Sequence, residues 1–255
     1  MNVDRIEAAF WAAFLRNRNV DAASASDGAV AVAGGYALCA AGTFLEYGIA
    51  VGSARPVRAD DLAAIADFYG RRGLQPRLEM NDGVLERDRA ALEGAGYADD
   101  GESVALLEAP IPPQPREPGV LIRPTADRRA WSQLVVRASR DTVGADEHAR
   151  LLRATHLNAL AAHGLFIAYV DGAPAGAGAA FVNGDLVFLY SAGVLPAFRG
   201  RGAHRALIAA RVAFGRARGA RSAALKAIPG SASEFAAQAE GFQRTRLRRR
   251  VRAAS

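Results

Sequence analysis

The sequence predicts an α/β (α+β) protein in two halves, each a mixed, mostly antiparallel central sheet flanked by helices. Three observations carry this. Runs of period 2 and period 3.6 alternate along the chain. The stretch from Ala109 to Gly119 holds five prolines, which rule out a helix or a central strand there. In the second half, Asp171-Gly172 and Asn183-Gly184 are hairpin turn signals that link three apolar runs into an antiparallel meander. The predicted organisation is an N-terminal domain over 1–108, a linker over 109–119 and a C-terminal domain over 120–255.

The first half opens on a helix. Asp4 with Glu7 reads as a capping box, and Val3, Ile6, Phe10 and Phe14 follow helical spacing, with Trp11 alongside. Ala29–Ala41 and Phe44–Val51 read as strand regions. Asp60 reads as the cap of a helix carrying Leu62, Ile65, Phe68 and Tyr69. A strand over Pro76–Met80, a helix over Leu85–Leu92 and a strand over Ser103–Leu107 follow. Between Val51 and Asp60 the chain has one glycine and no Gly-x-Gly, so no phosphate cradle is encoded there. In the second half a strand over Val120–Arg123 precedes helices near Asp127–Ala138 and Ala145–Ala162. Strands over Phe166–Val170, Ala175–Val182 and Leu186–Val194 then make the meander. A helix over Ala203–Arg218 comes next, with Leu207, Ile208, Val212 and Phe214 on its apolar side and His204, Arg211, Gly215 and Arg218 opposite. A strand over Ser222–Ile228, a short helix over Ser233–Ala239 and a last strand end the chain. Gly96-Tyr97 and Gly241-Phe242 hold corresponding places, which reads as a tandem duplication.

The chain has 255 residues and one cysteine, Cys39, in an apolar run, so neither a disulfide framework nor a thiolate metal site is encoded. No signal-peptide pattern and no apolar run of membrane-spanning length is present, which predicts a cytoplasmic protein. High alanine and arginine with little lysine suggests a GC-rich bacterial genome. The formal net charge is +6, and Arg244, Arg246, Arg248, Arg249, Arg250 and Arg252 carry it. The rest is close to neutral, and the tail lacks aromatics for base stacking. It therefore reads as a strand with a solvated arginine face, not as a nucleic-acid arm.

The chemistry concentrates between Leu186 and Leu207. A strand, a proline turn, the loop Arg199-Gly200-Arg201-Gly202 and a helix follow one another. Glycines let a backbone approach an anion, the first helical amides lack intrahelical acceptors, and the helix dipole favours negative charge. Arg199, Arg201 and Arg205 supply charge-assisted donors. There is no Walker A lysine and no G-x-G-x-x-G.

This loop resembles the acetyl-CoA motif of the GCN5-related N-acetyltransferases (the GNAT superfamily), Gln/Arg-x-x-Gly-x-Gly/Ala after a strand ending Val-x-Pro. Arg199, Gly202 and Val194-Leu195-Pro196 match, and His204 departs at the last position. The resemblance covers Val120–Val251. The N-terminal half resembles the later part of such a domain without its motif, as in a tandem protein with one degenerate half. It implies acetyl-CoA or another acyl-CoA as cosubstrate and a small-molecule or peptide amine as acceptor. Backbone at Val194 and Leu195 would pair with the pantetheine arm. Arg199, Gly200, Arg201, Gly202, Ala203, His204 and Arg205 would form the pyrophosphate cradle, with Ser233 contributing from the next helix. For His204 a phosphate-contacting or solvent-facing side chain competes with a catalytic one. A related subgroup has Pro-Gly-Ser-x-Ser-x-x-Asn and a later tyrosine acid. Here Pro229-Gly230-Ser231 and Ser233 match, while Ala236 and Arg246 replace the asparagine and the tyrosine. Tyr190 and Glu234 are participants by position; a buried strand tyrosine and a helix N-terminal glutamate are the plainer readings. The functions to be distinguished are an acyl-CoA-dependent N-acyltransferase, a CoA-binding module without catalysis, and nucleic-acid binding through the tail.

Overall fold

The computed structural model describes residues 3–20, 27–112, 120–139 and 147–254. Two compact units are present, Met1–Val104 with Arg246–Ser255, and Ala105–Thr245. Residues 113–119 of the proline-rich stretch, and the Ala145–Asp146 start of a predicted helix, lie outside the described residues. Ala109 and Pro110 continue a strand.

Unit 1 contains α1 (Val3–Val20), β1 (Gly28–Val32), β2 (Gly35–Cys39), β3 (Gly48–Ile49), α2 (Ala59–Gly70), β4 (Arg77–Asn81) and α3 (Asp82–Gly94). It also takes the start of β5 (Tyr97–Pro110) and most of β11 (Gln243–Ala253). Its strand order is β1-β2-β3-β4-β11. The predicted Ala29–Ala41 region is a hairpin, folded at Ala33-Gly34, where both φ angles are positive as a two-residue turn requires. Phe44–Val51 is expected as a strand, but only Gly48 and Ile49 form regular ladder pairs; before them Tyr47 O and Leu45 O accept single bonds from the Leu38 and Ala40 amides at 3.2 and 2.8 Å. Thr43 draws the preceding residues into a turn through its hydroxyl, which donates to Ala40 O and accepts from the Leu45 amide. β3 runs parallel to β4, and β11 antiparallel to it. The core gathers Leu62, Ile65, Phe68 and Tyr69 of α2 with Leu78, Met80 and Val251. Cys39 is buried, and burial pushes its thiol up to about 11, as befits a core residue.

Two caps differ from expectation. Asp60 does not cap α2: Arg58 is the N-cap residue, and its amide donates to the Asp61 carboxylate at 2.9 Å. Asp4 and Glu7 lie within α1 and turn inward to Arg248 of β11.

The arginine tail is a strand, but its arginine face is solvated only at its ends, at Arg244 and Arg252; its centre is buried. Arg248 is 1% exposed and meets Asp4, Glu7 and Glu79, the last two at 2.9 Å. Arg246 pairs with Asp4, Arg250 with Glu79 and Glu102, Arg249 with Asp82 and Asp99, and Arg252 with Asp100. Burial opposes the charge of Arg248. The carboxylates of Glu7, Glu79 and Asp4 outweigh it and hold the guanidinium pKa above its ordinary value.

Unit 2 contains Ala105–Pro110 of β5, then β6 (Leu121–Thr125), α4 (Arg128–Ala138), α5 (His148–Ala161), β7 (Gly164–Val170), β8 (Ala173–Asn183), β9 (Leu186–Val194), α6 (Ala203–Arg216), β10 (Ser222–Ala227) and α7 (Ala232–Ala239). Its strand order is β5-β10-β9-β8-β7-β6. β6 to β9 are antiparallel neighbours, and β7 to β9 form the meander that the two turn signals predicted, although the second turn sits at Gly184-Asp185 with Asn183 still paired to Leu186. β9 and β10 are parallel, and β5 is antiparallel to β10. The strand order of β9, β10 and β5 thus repeats that of β3, β4 and β11. One core cluster joins the sheet to α6 through Leu207, Ile208 and Val212; another joins it to α4 through Trp131, Leu134 and Val135.

The polar side predicted for α6 is overturned. His204 is half-buried, Arg211 and Gly215 are buried, and with Ile208 they form one stripe at helical spacing. Gly215 permits close approach to the sheet: a Cβ there would lie 2.5 Å from Val187 Cβ.

Candidate functional site

The loop between β9 and α6 is built to leave its amides free. Leu195 N–H donates to Ala175 O at 2.8 Å, which pins the end of β9 to β8. A 3-10 turn over Pro196–Phe198 then turns the chain. Gly200 (φ +75) and Gly202 (φ +80) take conformations that L side chains rarely adopt. A Cβ at Gly200 would meet nothing within 4 Å, so the loop faces open space. Gly202 is the N-cap of α6, and the first helical bond runs from the Ala206 amide to Gly202 O at 3.0 Å. Among the described residues nothing accepts from the amides of Gly200 to Arg205. The three arginines are held at the rim. Arg199 donates to Val194 O and Ala138 O, both at 3.3 Å; Arg201 pairs with Asp171 at 2.6 Å and Arg205 with Glu240 at 2.6 Å.

Beside this loop β9 leaves its neighbour. The β9/β10 ladder ends at Leu189 and Leu225. From Tyr190 onward β9 is bulged: Gly178 of β8 faces both Ser191 and Ala192, and Ser191 has φ +47. Asn158 of α5 donates to Ser191 Oγ at 2.6 Å, and the Tyr190 hydroxyl donates to Asn158 O at 3.0 Å. Burial pushes the Tyr190 phenol above its ordinary range. Glu234 is a helix-end carboxylate: it accepts from the Gly230 amide at 2.7 Å and from Arg244. Burial works against it, yet that amide and Arg244 hold it below its ordinary value. Tyr190 is thus a half-buried strand residue, and Glu234 a buried carboxylate in the first turn of α7.

His204, in the first turn of α6, is pushed down to about 4 by burial and by the nearby charge of Arg211. Its imidazole is neutral at pH 7, which leaves hydrogen bonding, not charge, as its contribution.

The corresponding place in unit 1 is already filled. Between β3 and α2 the Asp61 carboxylate takes the Arg58 amide and Arg55, while Asp88 accepts from the Val57 amide at 3.2 Å and binds Arg87. The Asp61 and Asp88 carboxylates thus engage backbone amides of the segment before α2.

Residues 129–238 match the family model described as "Acetyltransferase (GNAT) family". This stretch, which lies within unit 2, is similar to the GNAT acetyltransferases. Solved structures extend the likeness to the fold of the whole chain. A GCN5-related N-acetyltransferase from Kribbella flavida aligns with TM-score 0.66 at 16% identity, over 100% of this chain and 97% of that one. Another from Sphaerobacter thermophilus gives 0.56 at 19%, over 81% and 71%. A tandem GNAT protein from the clavulanic acid biosynthesis pathway gives 0.53 at 16%, over 80% and 73%. No curated protein matches the chain.

Within unit 2, Arg199 to Arg205 form one loop and helix start, reached from Val194 and Leu195 through the turn at Pro196–Phe198. Ser233 lies half-buried in the first turn of α7, next to the N-cap Ser231, whose hydroxyl accepts from the Glu234 amide at 3.3 Å. Arg205 and Glu240 tie α6 to the end of α7. Sequence reasoning missed the bulge at Ser191, its partner Asn158 and the inward course of Arg211. The stripe His204, Ile208, Arg211, Gly215 was the available signal for the last.

Proposed function

We propose that the protein is an acyl-CoA-dependent N-acyltransferase that moves acetyl from acetyl-CoA to an amine on a small molecule or peptide. The observation that carries this is the row of unengaged amides from Gly200 to Arg205 at the start of α6, beside the point where β9 parts from β10. In this reading the amides bind the pyrophosphate, and Arg199, Arg201 and Arg205 surround it. The arm then runs along β9 toward the bulge. The Leu195 amide is used by Ala175, so the strand's contribution comes from Val194 and the residues before it. The amine nitrogen attacks the thioester carbonyl carbon, the C–S bond breaks, CoA leaves as the thiol, and the net proton of the ammonium substrate passes to solvent. Unit 1 serves as the degenerate partner, its counterpart loop occupied by Asp61 and Asp88.

Millimolar acetyl-CoA should raise the melting temperature by mass action. Gly202→Glu should abolish that shift, because it places a carboxylate and a strained φ at the cradle. An unchanged shift in this variant would overturn the site. A CoA-binding module without transfer is the second reading. It is favoured by Ala236 at the asparagine position and by Arg246, at the tyrosine position, being committed to Asp4. Thiol release against an amine panel separates the two.

A further inference from the structure

Arg211 is buried at 2% exposure, in the middle of α6, with no acid to meet it. Its Nε donates to Leu207 O at 2.8 Å, and its Nη1 to Ala179 O at 3.3 Å and Tyr190 O at 3.4 Å. All three acceptors are backbone carbonyls. Among the described residues no carboxylate lies within ion-pair distance, and burial alone pushes the guanidinium down to about 9. The titratable group that shares its stripe is His204, which is neutral. The other buried arginine, Arg248, has three carboxylates. A guanidinium buried in a core without counter-charge is costly, and a purely mechanical tie between strands would be served by a neutral amide.

The surroundings are shaped for this group. Gly178 leaves the room it fills: a Cβ there would lie 3.0–3.2 Å from three guanidinium atoms. Tyr190 is the first residue past the end of the β9/β10 ladder, and the bulge begins beside it. Arg211 lies eight residues past Ala203, about 12 Å along the helix from the cradle. Its Nη2 carries no hydrogen bond. Unlike the unpartnered Tyr97 and Ser132 hydroxyls, it is not sealed from solvent.

We infer that Arg211 is the receptor for a ligand carboxylate delivered to the bulge of β9. The carboxylate is carried either by the acyl chain, as in malonyl-CoA or succinyl-CoA, or by an amino-acid acceptor. A carboxylate supplies the missing charge and accepts from Nη2. This rests on the CoA reading of the cradle for its first source only.

The test is calorimetric titration of the full chain. The first arm compares CoA, acetyl-CoA, malonyl-CoA and succinyl-CoA. The second compares a panel of amino acids with their amides, with and without CoA. An acyl source predicts malonyl-CoA or succinyl-CoA binding at least tenfold tighter than acetyl-CoA. An acceptor source predicts equal acyl-CoA affinities and amino acids preferred over amides by a similar factor. Either preference should vanish in Arg211→Met and survive, weakened, in Arg211→Lys. Wild-type protein that binds acetyl-CoA yet shows neither preference overturns the inference, as does a preference that persists in Arg211→Met. If Arg211→Met does not fold, the wild-type comparison and the lysine variant decide. Failure of every CoA species to bind instead overturns the cradle reading, and the amino-acid arm still tests the receptor.

Discussion

Two buried arginines show how far a residue's neighbours, and not its type, set its role. Arg248 sits among Asp4, Glu7 and Glu79, and those carboxylates raise its pKa; among the described residues Arg211 meets only carbonyls, and burial lowers it. Replacing Arg248 with alanine leaves three buried carboxylates with less counter-charge. It should cost about 3–5 kcal/mol, read from the denaturant midpoint of unit 1; a change within experimental error would refute the cluster's importance. His204 offers a pH test. Its unfolded value is 6.5 and its folded value about 4, so the unfolded chain binds the extra proton between them. Stability should therefore fall as pH drops from about 6.5 to about 4, and His204→Asn should lack that component. Parallel pH profiles for the two proteins would contradict it. At this scale the glycine pair and the motif around it were legible, because the backbone conformation of the loop is set locally. The pairing of Arg201 with Asp171 or of Arg248 with Asp4 was not, because no local pattern names a partner tens or hundreds of residues away.

At the scale of elements, α6 decides the site. Its N-terminus presents the amides, and its inward stripe places Arg211 and Gly215 on the sheet. Gly215→Ala gains up to about 1 kcal/mol of helix propensity, but the new Cβ would press on Val187, and overpacking typically costs about 1–3 kcal/mol. Net destabilisation should follow, together with weaker acetyl-CoA binding as the cradle shifts; a stabilised variant with intact binding would show that the helix does not need this close seat. The helix was readable from its periodicity, but the direction of its polar stripe was not. A sequence-based reading assigns arginine and histidine to solvent, whereas here Gly178 and the bulge of β9 open space for the guanidinium. The short β3 was misread for a related reason: the strand-like composition of Phe44–Val51 is overridden by the turn that Thr43 makes.

At the scale of the molecule, each compact unit takes in a strand segment from beyond residues 113–119. Unit 1 takes Arg246–Ser255, and unit 2 takes Ala105–Pro110, which pairs with β10. A chain ending at Thr245 should therefore lose the hydrogen-exchange protection of β4 and α1, because Arg248 and Val251 leave with the tail. Undiminished protection there would show that β11 is dispensable to unit 1. Among the described residues no helix is long and apolar enough to cross a membrane. The sequence by itself determined the alternation of elements, the antiparallel meander and the glycine loop with its family likeness. Each of these rests on short-range periodicity, turn chemistry or a contiguous motif. Only the tertiary structure decided that the arginine tail completes unit 1 through buried ion pairs, that Asp61 and Asp88 fill the counterpart loop, and that Arg211 lies without an acid beneath the bulge. Those outcomes depend on which distant carboxylates reach which guanidinium, and strand order and packing alone fix that.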